Sequence, residues 1–366
     1  MRLLARNFER GRQKMEMIAR YGTPGTRLIS LLASLDYPLR DVGEGDKFVI
    51  LTDDAMDPLI WQATMAGLHS RGAEALLCLY PRRKYHCADP SPLAVAAAKE
   101  ADVVIALTTT ALNSGTPGLR AIRSEGGGKG KTPVWLWEEL NQEILIEGGG
   151  STTASEVEEI CEIQRRVGAV YDNGKTIHVT SHSGTDLEAD ISGYENNSLS
   201  DRWGKIPFAR DPKTGKLGGG TWPFGEVHVE PKPGTANGVV VWDQTAHHPA
   251  GQWREPVTLE VENGVVVDIR GGIEAREVRR YLQSYGDENT MKLGGEIALG
   301  TNRRCPPLTG AMRSEKKRYG AMHLGIGHGA DRGVVNSTLR LEGIIDQVTV
   351  VVDGEHVVAK DGEILV

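Results

Sequence analysis

Three glycine-rich segments in the second half of the chain each place an ionisable side chain in apolar surroundings. The segments cover residues 222–228, 294–302 and 322–331, and their ionisable residues are Glu226, Glu296 and His323. A buried carboxylate is costly unless it is paired, hydrogen-bonded, protonated or bound to a cation. Two carboxylates and one imidazole form a common site for Zn²⁺, Mn²⁺ or Fe²⁺. The pattern therefore predicts one divalent metal at these residues. For each residue alone, a salt bridge or a core position is the simpler interpretation.

Other polar residues give weaker signals. His247 and His248 precede Pro249, and because adjacent strand residues face opposite sides, at most one of them should line a pocket. His178 and His182 are better explained as polar residues around a turn. Neither a G-x-S-x-G elbow nor an H-E-x-x-H helix is present, which argues against a serine hydrolase or a zincin.

The first half of the chain alternates apolar runs with helical stretches. The runs are residues 47–52, 75–80, 102–107 and 133–137, and helices are predicted from Pro58 to about Arg71 and over 92–101. Continuous apolar runs are typical of parallel strands that are buried on both faces. Their β-α-β-α order predicts an open, doubly wound parallel sheet, and we expect a Rossmann-like α/β domain over residues 1–172. No G-x-G-x-x-G motif follows its first strand, which argues against a dinucleotide site.

The pattern changes near residue 173. A capped helix that starts at Ser151–Thr153 should end at about Val170, and the chain then alternates apolar and polar residues. Turns such as Glu262-Asn263-Gly264 separate the alternating stretches and predict hairpins, with one helix over 273–285. The sequence thus predicts a second domain over residues 173–366, β-rich and of the α+β type, that carries the active site.

Composition limits the possible partners. The formal net charge is −7, so neither nucleic acid nor an anionic membrane surface is expected as a partner. The basic run Lys316-Lys317-Arg318 is interpreted as a solvated helix face. The four cysteines share no CxxC spacing, and no signal peptide or membrane span is indicated, so we expect reduced thiols and a cytoplasmic location. A homodimer is a reasonable expectation for such a β-rich domain.

The same three segments resemble a known family of metalloenzymes. Pro223–Val227, Gly295–Asn302 and the stretch from Glu315 to Gly327 are similar to metal-binding elements of the thermophilic aminopeptidases (aminopeptidases T and S) and of their shorter relative 2,5-dihydroxypyridine 5,6-dioxygenase. The resemblance implies that Glu226, Glu296 and His323 are metal ligands. The chain length fits the dioxygenase branch better.

One departure from the family pattern limits the metal site. Where the family has a His-x-Asp pair, this chain has Arg340-Leu341-Glu342. A guanidinium has no lone pair for a metal, and its charge repels a nearby cation. We therefore expect one metal at most. The dioxygenase's two-histidine, one-carboxylate iron site would also be altered, because His323 is the one imidazole among the three predicted ligands.

These observations leave three functional hypotheses. The first is a hydrolase that uses Zn, Mn or Fe(II) to cleave a C–N bond, in an amide or an N-heterocycle, of a small anionic substrate. In it Arg340 would bind a substrate carboxylate or an oxyanion, and Glu342, or Asp331 with His328, would transfer protons. The second is an Fe(II)-dependent ring-cleaving dioxygenase of the dihydroxypyridine type. The third is a metal-free enzyme or a binding protein on the same scaffold.

Overall fold

A five-stranded sheet organises the first half of the chain in the computed structural model, which describes residues 24–112, 116–125, 132–193, 203–329 and 335–366. The strand order is β2-β1-β3-β4-β7, and every pairing is parallel. The strands are β1 (Lys47–Asp53), β2 (Glu74–Tyr80), β3 (Val103–Leu107), β4 (Val134–Leu136) and β7 (Gly220–Thr221). The helices of this half are α1 (Pro24–Ser34), α2 (Pro58–His69), α3 (Pro92–Ala98), α4 (Pro117–Glu125), α5 (Gln142–Ile146) and α6 (Ala154–Asn173).

The predicted apolar runs form the strands of this sheet. All five residues of β3 are buried, as expected for a central strand that is covered on both faces. Alternate residues of β1 belong to two separate apolar clusters. One cluster contains Phe48 and Ile50, and the other contains Val49 and Leu51. The prediction of an α/β fold with a parallel sheet is confirmed.

Helix α6 connects the two halves. Thr153 and Glu156 form the predicted capping box at its start, and the helix ends at Asn173, three residues beyond the predicted end. The proposed division at residue 173 does not separate the sheets, however. Strand β7, at Gly220–Thr221, returns to pair with β4, so the second half of the chain completes the first sheet.

The second half forms two antiparallel sheets. Eight strands follow the order β11-β10-β9-β6-β5-β15-β16-β17, and four follow β14-β13-β12-β8. The larger sheet contains β5 (Thr176–Thr180), β6 (Asp186–Asp190), β9 (Asn237–Trp242), β10 (Val257–Glu262), β11 (Val265–Gly271), β15 (Thr349–Val352), β16 (His356–Lys360) and β17 (Glu363–Ile364). The smaller contains β8 (Glu226–Val229), β12 (Ile297–Gly300), β13 (Met322–Gly327) and β14 (Arg340–Ile345). Helices α7 (Ile273–Tyr285) and α8 (Met312–Glu315) complete this β-rich half.

One hydrophobic core joins these two sheets. It contains buried residues of the larger sheet and the apolar residues that alternate along the four strands of the smaller one, including Val227, Leu299 and Leu324. The predicted turn at Asn263-Gly264 has positive φ at both residues, as a two-residue hairpin turn requires. No described helix is long and apolar enough to cross a membrane.

Candidate metal centre and adjoining cavity

The four-stranded sheet places the predicted ligands on one face. Strand β13 pairs Ala298 with His323, and β8 pairs Gly300 with Glu226. Because strand side chains alternate between faces, Glu296, two residues before Ala298, lies on the same side as these two residues. The backbone of Glu296 accepts from the Gly325 N–H at 3.1 Å, which extends the β12–β13 pairing to that residue. The opposite face holds the apolar core, so this face is left for polar chemistry.

The three predicted ligands converge on one point. His323 Nε2 lies 3.6 Å from Glu226 Oε2 and 3.5 Å from Glu296 Oε2. One ligand atom of each residue lies within 4.8 Å of the others. Both His323 ring nitrogens and Glu226 Oε2 are buried and have no hydrogen bond within the described chain. Buried polar atoms without partners are costly, and a bound cation would satisfy them. The donor set therefore fits one divalent metal.

Lys317 lies beside this centre. Its side chain is 0% exposed, and its Nζ forms an ion pair with Glu226 Oε1. Burial lowers the pKa of Lys317 to about 8. Despite the cost of burying Glu226, the positive charge of Lys317 lowers the pKa of that carboxyl. The interpretation of Lys316-Lys317-Arg318 as a solvated helix face is wrong, because all three are buried or half-buried and paired with carboxylates.

Arg340 connects two carboxylates at the centre. Its Nη2 lies 2.8 Å from Glu296 Oε1, and its Nε donates to Glu342 Oε1 at 2.6 Å. Burial opposes ionisation of all three groups, but their mutual attraction lowers the pKa of both carboxyls and raises that of the guanidinium. Gly325 makes room for the pair, since a Cβ there would lie 3.1 Å from Glu342 Cγ. Arg340 thus supplies a fixed positive charge next to the three ligands.

A second polar cluster extends from Glu342 into the first half of the chain. His247 Nε2 lies 3.0 Å from Glu342 Oε2, and His247 Nδ1 lies 3.0 Å from Glu139 Oε1. The His86 ring is 4.7 Å from that of His247, and its Nδ1 accepts from the Ala111 N–H at 3.0 Å. His86, Glu139 and His247 are close enough to hold a metal, but the ring nitrogens named here are already hydrogen-bonded. The cluster is therefore a hydrogen-bonded extension of the centre.

A cavity of about 240 Å³ adjoins the centre, lined by residues of both halves of the chain. Glu226, Glu296, Arg340 and Glu342 contribute from the four-stranded sheet. The lining also includes Arg123, Leu136, Glu138, His247, Arg313 and Lys316. This volume is near the lower end for small-molecule sites, and suits a ligand with one ring.

The other predicted residues are placed as follows. His247 lines the cavity, whereas His248 stacks on Tyr281, so one of the pair reaches the site as predicted. His328 lines a neighbouring cavity with Arg120, separate from the three ligands, and Asp331 lies outside the described residues. His178 is half-exposed and pairs with Asp186 on the larger sheet.

The sequence alone did not reveal the contribution of the first half. Glu138 and Glu139 follow β4, at the carboxyl end of a parallel strand, where open α/β sheets place their ligands. That position was a signal that could have identified them. His86 and Arg123 follow no strand directly, and their proximity to the centre depends on how the two halves pack.

The fold and site define a mixed α/β protein with a candidate metal centre on its four-stranded antiparallel sheet. The profile of the NicX family, 2,5-dihydroxypyridine 5,6-dioxygenase, matches residues 32–365, and the chain belongs to that family. A 2,5-dihydroxypyridine 5,6-dioxygenase from Pseudomonas putida is 29% identical over 115 residues, which span 31% of this chain and 30% of that protein.

Two solved structures share the fold. The 2,5-dihydroxypyridine dioxygenase from Pseudomonas putida KT2440 aligns with a TM-score of 0.68 and 19% identity over 94% of this chain and 98% of its own. Wild-type AmpT from Thermus thermophilus aligns with a TM-score of 0.63 and 15% identity over 93% and 99%. The predicted resemblance is confirmed, and family membership favours the dioxygenase alternative over the hydrolase hypothesis.

Proposed function

We propose that this protein is an Fe(II)-dependent dioxygenase that opens a small hydroxylated N-heteroaromatic ring. The observation that carries the proposal is the convergence of Glu226, Glu296 and His323 beside a cavity large enough for one ring. Buried polar atoms of Glu226 and His323 have no hydrogen-bond partner among the described residues. Membership in the 2,5-dihydroxypyridine 5,6-dioxygenase family supports the reaction class. Fe(II) bound there would supply the one-electron chemistry through which an aromatic ring reacts with O₂.

Two cations of the protein stabilise the ionised form of the ligand carboxylates. Lys317 and Arg340 each neutralise one of the two ligand carboxylates, so both can stay ionised in a buried setting. Glu226, Glu296 and His323 would hold the metal through three ligand atoms, and a site with only three protein ligands would allow it to bind substrate and O₂ as well. The apolar lining residues Leu112 and Leu136 restrict water beside the ring.

His247 is the group that we assign to proton transfer. Glu139 and Glu342 hold its two ring nitrogens, and their charges raise its pKa although burial opposes this. The raised pKa favours the protonated ring, whose two N–H groups donate to Glu139 and to Glu342, and Glu342 lines the cavity together with His247. Glu342, whose pKa is held well below its usual range, accepts hydrogen bonds and stays ionised. His328 and Asp331 have no role in this proposal.

A second candidate is a metal-dependent hydrolase that cleaves a C–N bond. The observation that favours it is the donor set itself, since two carboxylates and one histidine suit Mn²⁺ or Zn²⁺ as well as Fe²⁺. A metal of this kind would polarise a carbonyl and activate water without O₂.

Oxygen consumption separates the two candidates. The protein is purified without chelators, its metal content is measured, and it is then loaded anaerobically with Fe(II) and mixed with 2,5-dihydroxypyridine in an oxygen electrode. We expect one O₂ consumed per ring lost, with both atoms of ¹⁸O₂ in the product. Ring loss without oxygen uptake, with ¹⁸O entering from water, would instead establish the hydrolase.

Matched variants show whether the site carries the activity. His323→Ala should abolish oxygen uptake, whereas His178→Ala, which changes a half-exposed histidine on the larger sheet, should leave it intact. Full activity in protein that contains no metal and is assayed in chelator would contradict both candidates and leave the metal-free hypothesis.

A further inference from the structure

Arg123 lines the same cavity as two of the metal ligands, Glu226 and Glu296. It lies on α4 in the first half of the chain and is partly buried. Burial lowers its pKa, the expected response of a guanidinium removed from water, and the charge of Glu138 only partly offsets this effect. A partly buried cation is costly unless an anion compensates it.

Other cations of the cavity already have such partners. Arg313 forms an ion pair with Glu138 and donates from Nε to the Glu138 carbonyl at 2.9 Å. Lys316 Nζ lies 3.3 Å from Glu342 Oε2, and Arg340 connects Glu296 with Glu342. Arg123 differs from them. It forms no hydrogen bond and no ion pair with any residue in the described part of the chain.

The charges around the cavity leave one positive charge in excess. Its lining carboxylates are Glu138, Glu226, Glu296 and Glu342. The cations are Arg123, Arg313, Lys316 and Arg340 on the lining, together with Lys317, which pairs with Glu226. Five cations thus face four carboxylates, and any charge on His247, which also lines the cavity, is matched by its partner Glu139. A divalent metal at the centre would add two further positive charges. The cavity is therefore complementary to an anionic ligand.

We infer that Arg123 binds a carboxylate of the substrate, and that the substrate is a hydroxylated heteroaromatic acid rather than an uncharged ring. The hydroxylated heteroaromatic ring in this inference rests on the proposed function, whereas the carboxylate is inferred from Arg123. A carboxylate fits because it is planar and can accept two parallel hydrogen bonds from a guanidinium, and because a cavity of about 240 Å³ holds one ring with a small substituent.

The same geometry reassigns a role. From the sequence, Arg340 was the residue expected to bind a substrate carboxylate. Its Nε pairs with Glu342 and its Nη2 with Glu296, so it contributes a fixed positive charge to the centre. Arg123 lines the cavity from the first half of the chain, so the acid group and the reacting part of the ring would contact residues of different halves.

A pair of ligands that differ by one carboxylate tests the inference. The probes are 6-hydroxypyridine-3-carboxylate and 2-hydroxypyridine, titrated calorimetrically into the full-length, chelator-treated protein, so that affinity is measured without turnover. We expect wild-type protein to bind the acid at least about 10-fold more tightly, the effect of a charge-assisted hydrogen bond. Arg123→Met should remove this preference, and Arg123→Lys should keep part of it.

Arg120→Met is the matched control. Arg120 lies three residues earlier on the same helix but lines the neighbouring cavity, so the preference for the acid should persist. Thermal unfolding should show that Arg123→Met is folded, because the substitution removes no hydrogen bond to the described protein. An unchanged preference in Arg123→Met, or no preference in the wild type, would overturn the inference.

The outcome is independent of the proposed reaction. If the acid is preferred but no ring is oxidised, the dioxygenase proposal fails and the substrate class remains. If 2,5-dihydroxypyridine is oxidised but the acid has no advantage in binding, the reaction stands and the inference about Arg123 fails.

Discussion

Arg340 and Glu342, two residues apart on β14, form a buried ion pair in which the guanidinium Nε donates to the carboxylate at 2.6 Å. Residues at this spacing project from the same face of a strand, so the pair is local in sequence and directed at the metal centre. The other edge of the guanidinium lies 2.8 Å from Glu296, one of the predicted metal ligands. A single arginine thus pairs both with a predicted metal ligand and with a neighbouring carboxylate.

Replacing Arg340 should destabilise the fold. In Arg340→Met, Glu296 and Glu342 lose their shared cation, and breaking a buried ion pair in this way costs about 3 kcal/mol or more. The free energy of unfolding in urea measures the loss. Arg270→Met is the control, because Arg270 pairs with Glu260 on the surface, where such pairs contribute about 1 kcal/mol or less. Similar losses in the two variants would show that the Arg340 pairs are not needed for stability.

Much of the fold was predictable because its signals are local. Apolar runs such as Val103–Leu107 and turns such as Asn263-Gly264 specify strands and hairpins through their own residues. The three candidate ligands could be singled out for a similar reason, since a charged residue beside glycines and apolar residues must be compensated. Their spatial convergence then follows from the register of adjacent strands.

The rest of the site depends on tertiary packing. Lys317 belongs to a run of three basic residues, which usually marks a solvated surface, yet it is fully buried beside Glu226. Arg123 lies on an amphipathic helix, and nothing in its own segment indicates that it faces a cavity formed by the other half of the chain. Strand β7 joins the first sheet from residues 220–221, far from its neighbours in sequence.

Removal of one ligand should eliminate the metal. His323→Ala leaves two carboxylates that Lys317 and Arg340 already neutralise, so the remaining attraction for a cation is weak. We expect the metal content by elemental analysis to fall at least about 10-fold, the loss typical of even an outer-shell change. Glu296→Ala should have the same effect.

The control for metal loss is Glu188→Ala, which changes an exposed glutamate of the larger sheet. It should keep the metal content of the wild type, and circular dichroism should show that all variants are folded. Full metal content and full activity in Glu296→Ala would disprove the assignment of the centre.

A methyl group at Gly325 should disturb the Arg340–Glu342 pair without removing a ligand. A Cβ there would lie 3.1 Å from Glu342 Cγ and 3.6 Å from Arg340 Nε, so Glu342 must shift by a few tenths of an ångström. We expect Gly325→Ala to cost about 1 to 2 kcal/mol in the free energy of unfolding, as overpacking does. It should retain metal but lower kcat, because Glu342 also positions His247.

Gly354→Ala provides a comparison for Gly325→Ala, since Gly354 has open space around its Cα and lies in a surface turn. Its positive φ of 72° should cost stability but leave kcat unchanged. Unchanged kcat in Gly325→Ala would show that the position of Glu342 does not affect turnover.

The protonation of His247 should make its contribution to stability depend on pH. Burial opposes its charge, but Glu139 and Glu342 raise its pKa above the usual 6.5. The neighbouring His86 ring is neutral in this pH range, because burial lowers its pKa to about 3. When the pKa of a histidine is higher in the folded than in the unfolded protein, protonation stabilises the fold. This stabilisation is complete at pH values below the unfolded-state pKa, and it is lost as the pH rises through the folded-state pKa. His247→Gln should therefore cost about 2 kcal/mol at pH 6, the scale of hydrogen bonds to charged groups, and progressively less toward pH 9.

Urea unfolding of wild type and variant at each pH measures the difference, and His178→Gln, a change on the larger sheet, supplies the comparison. A cost that stays constant or increases with pH would mean that His247 is neutral in the folded protein.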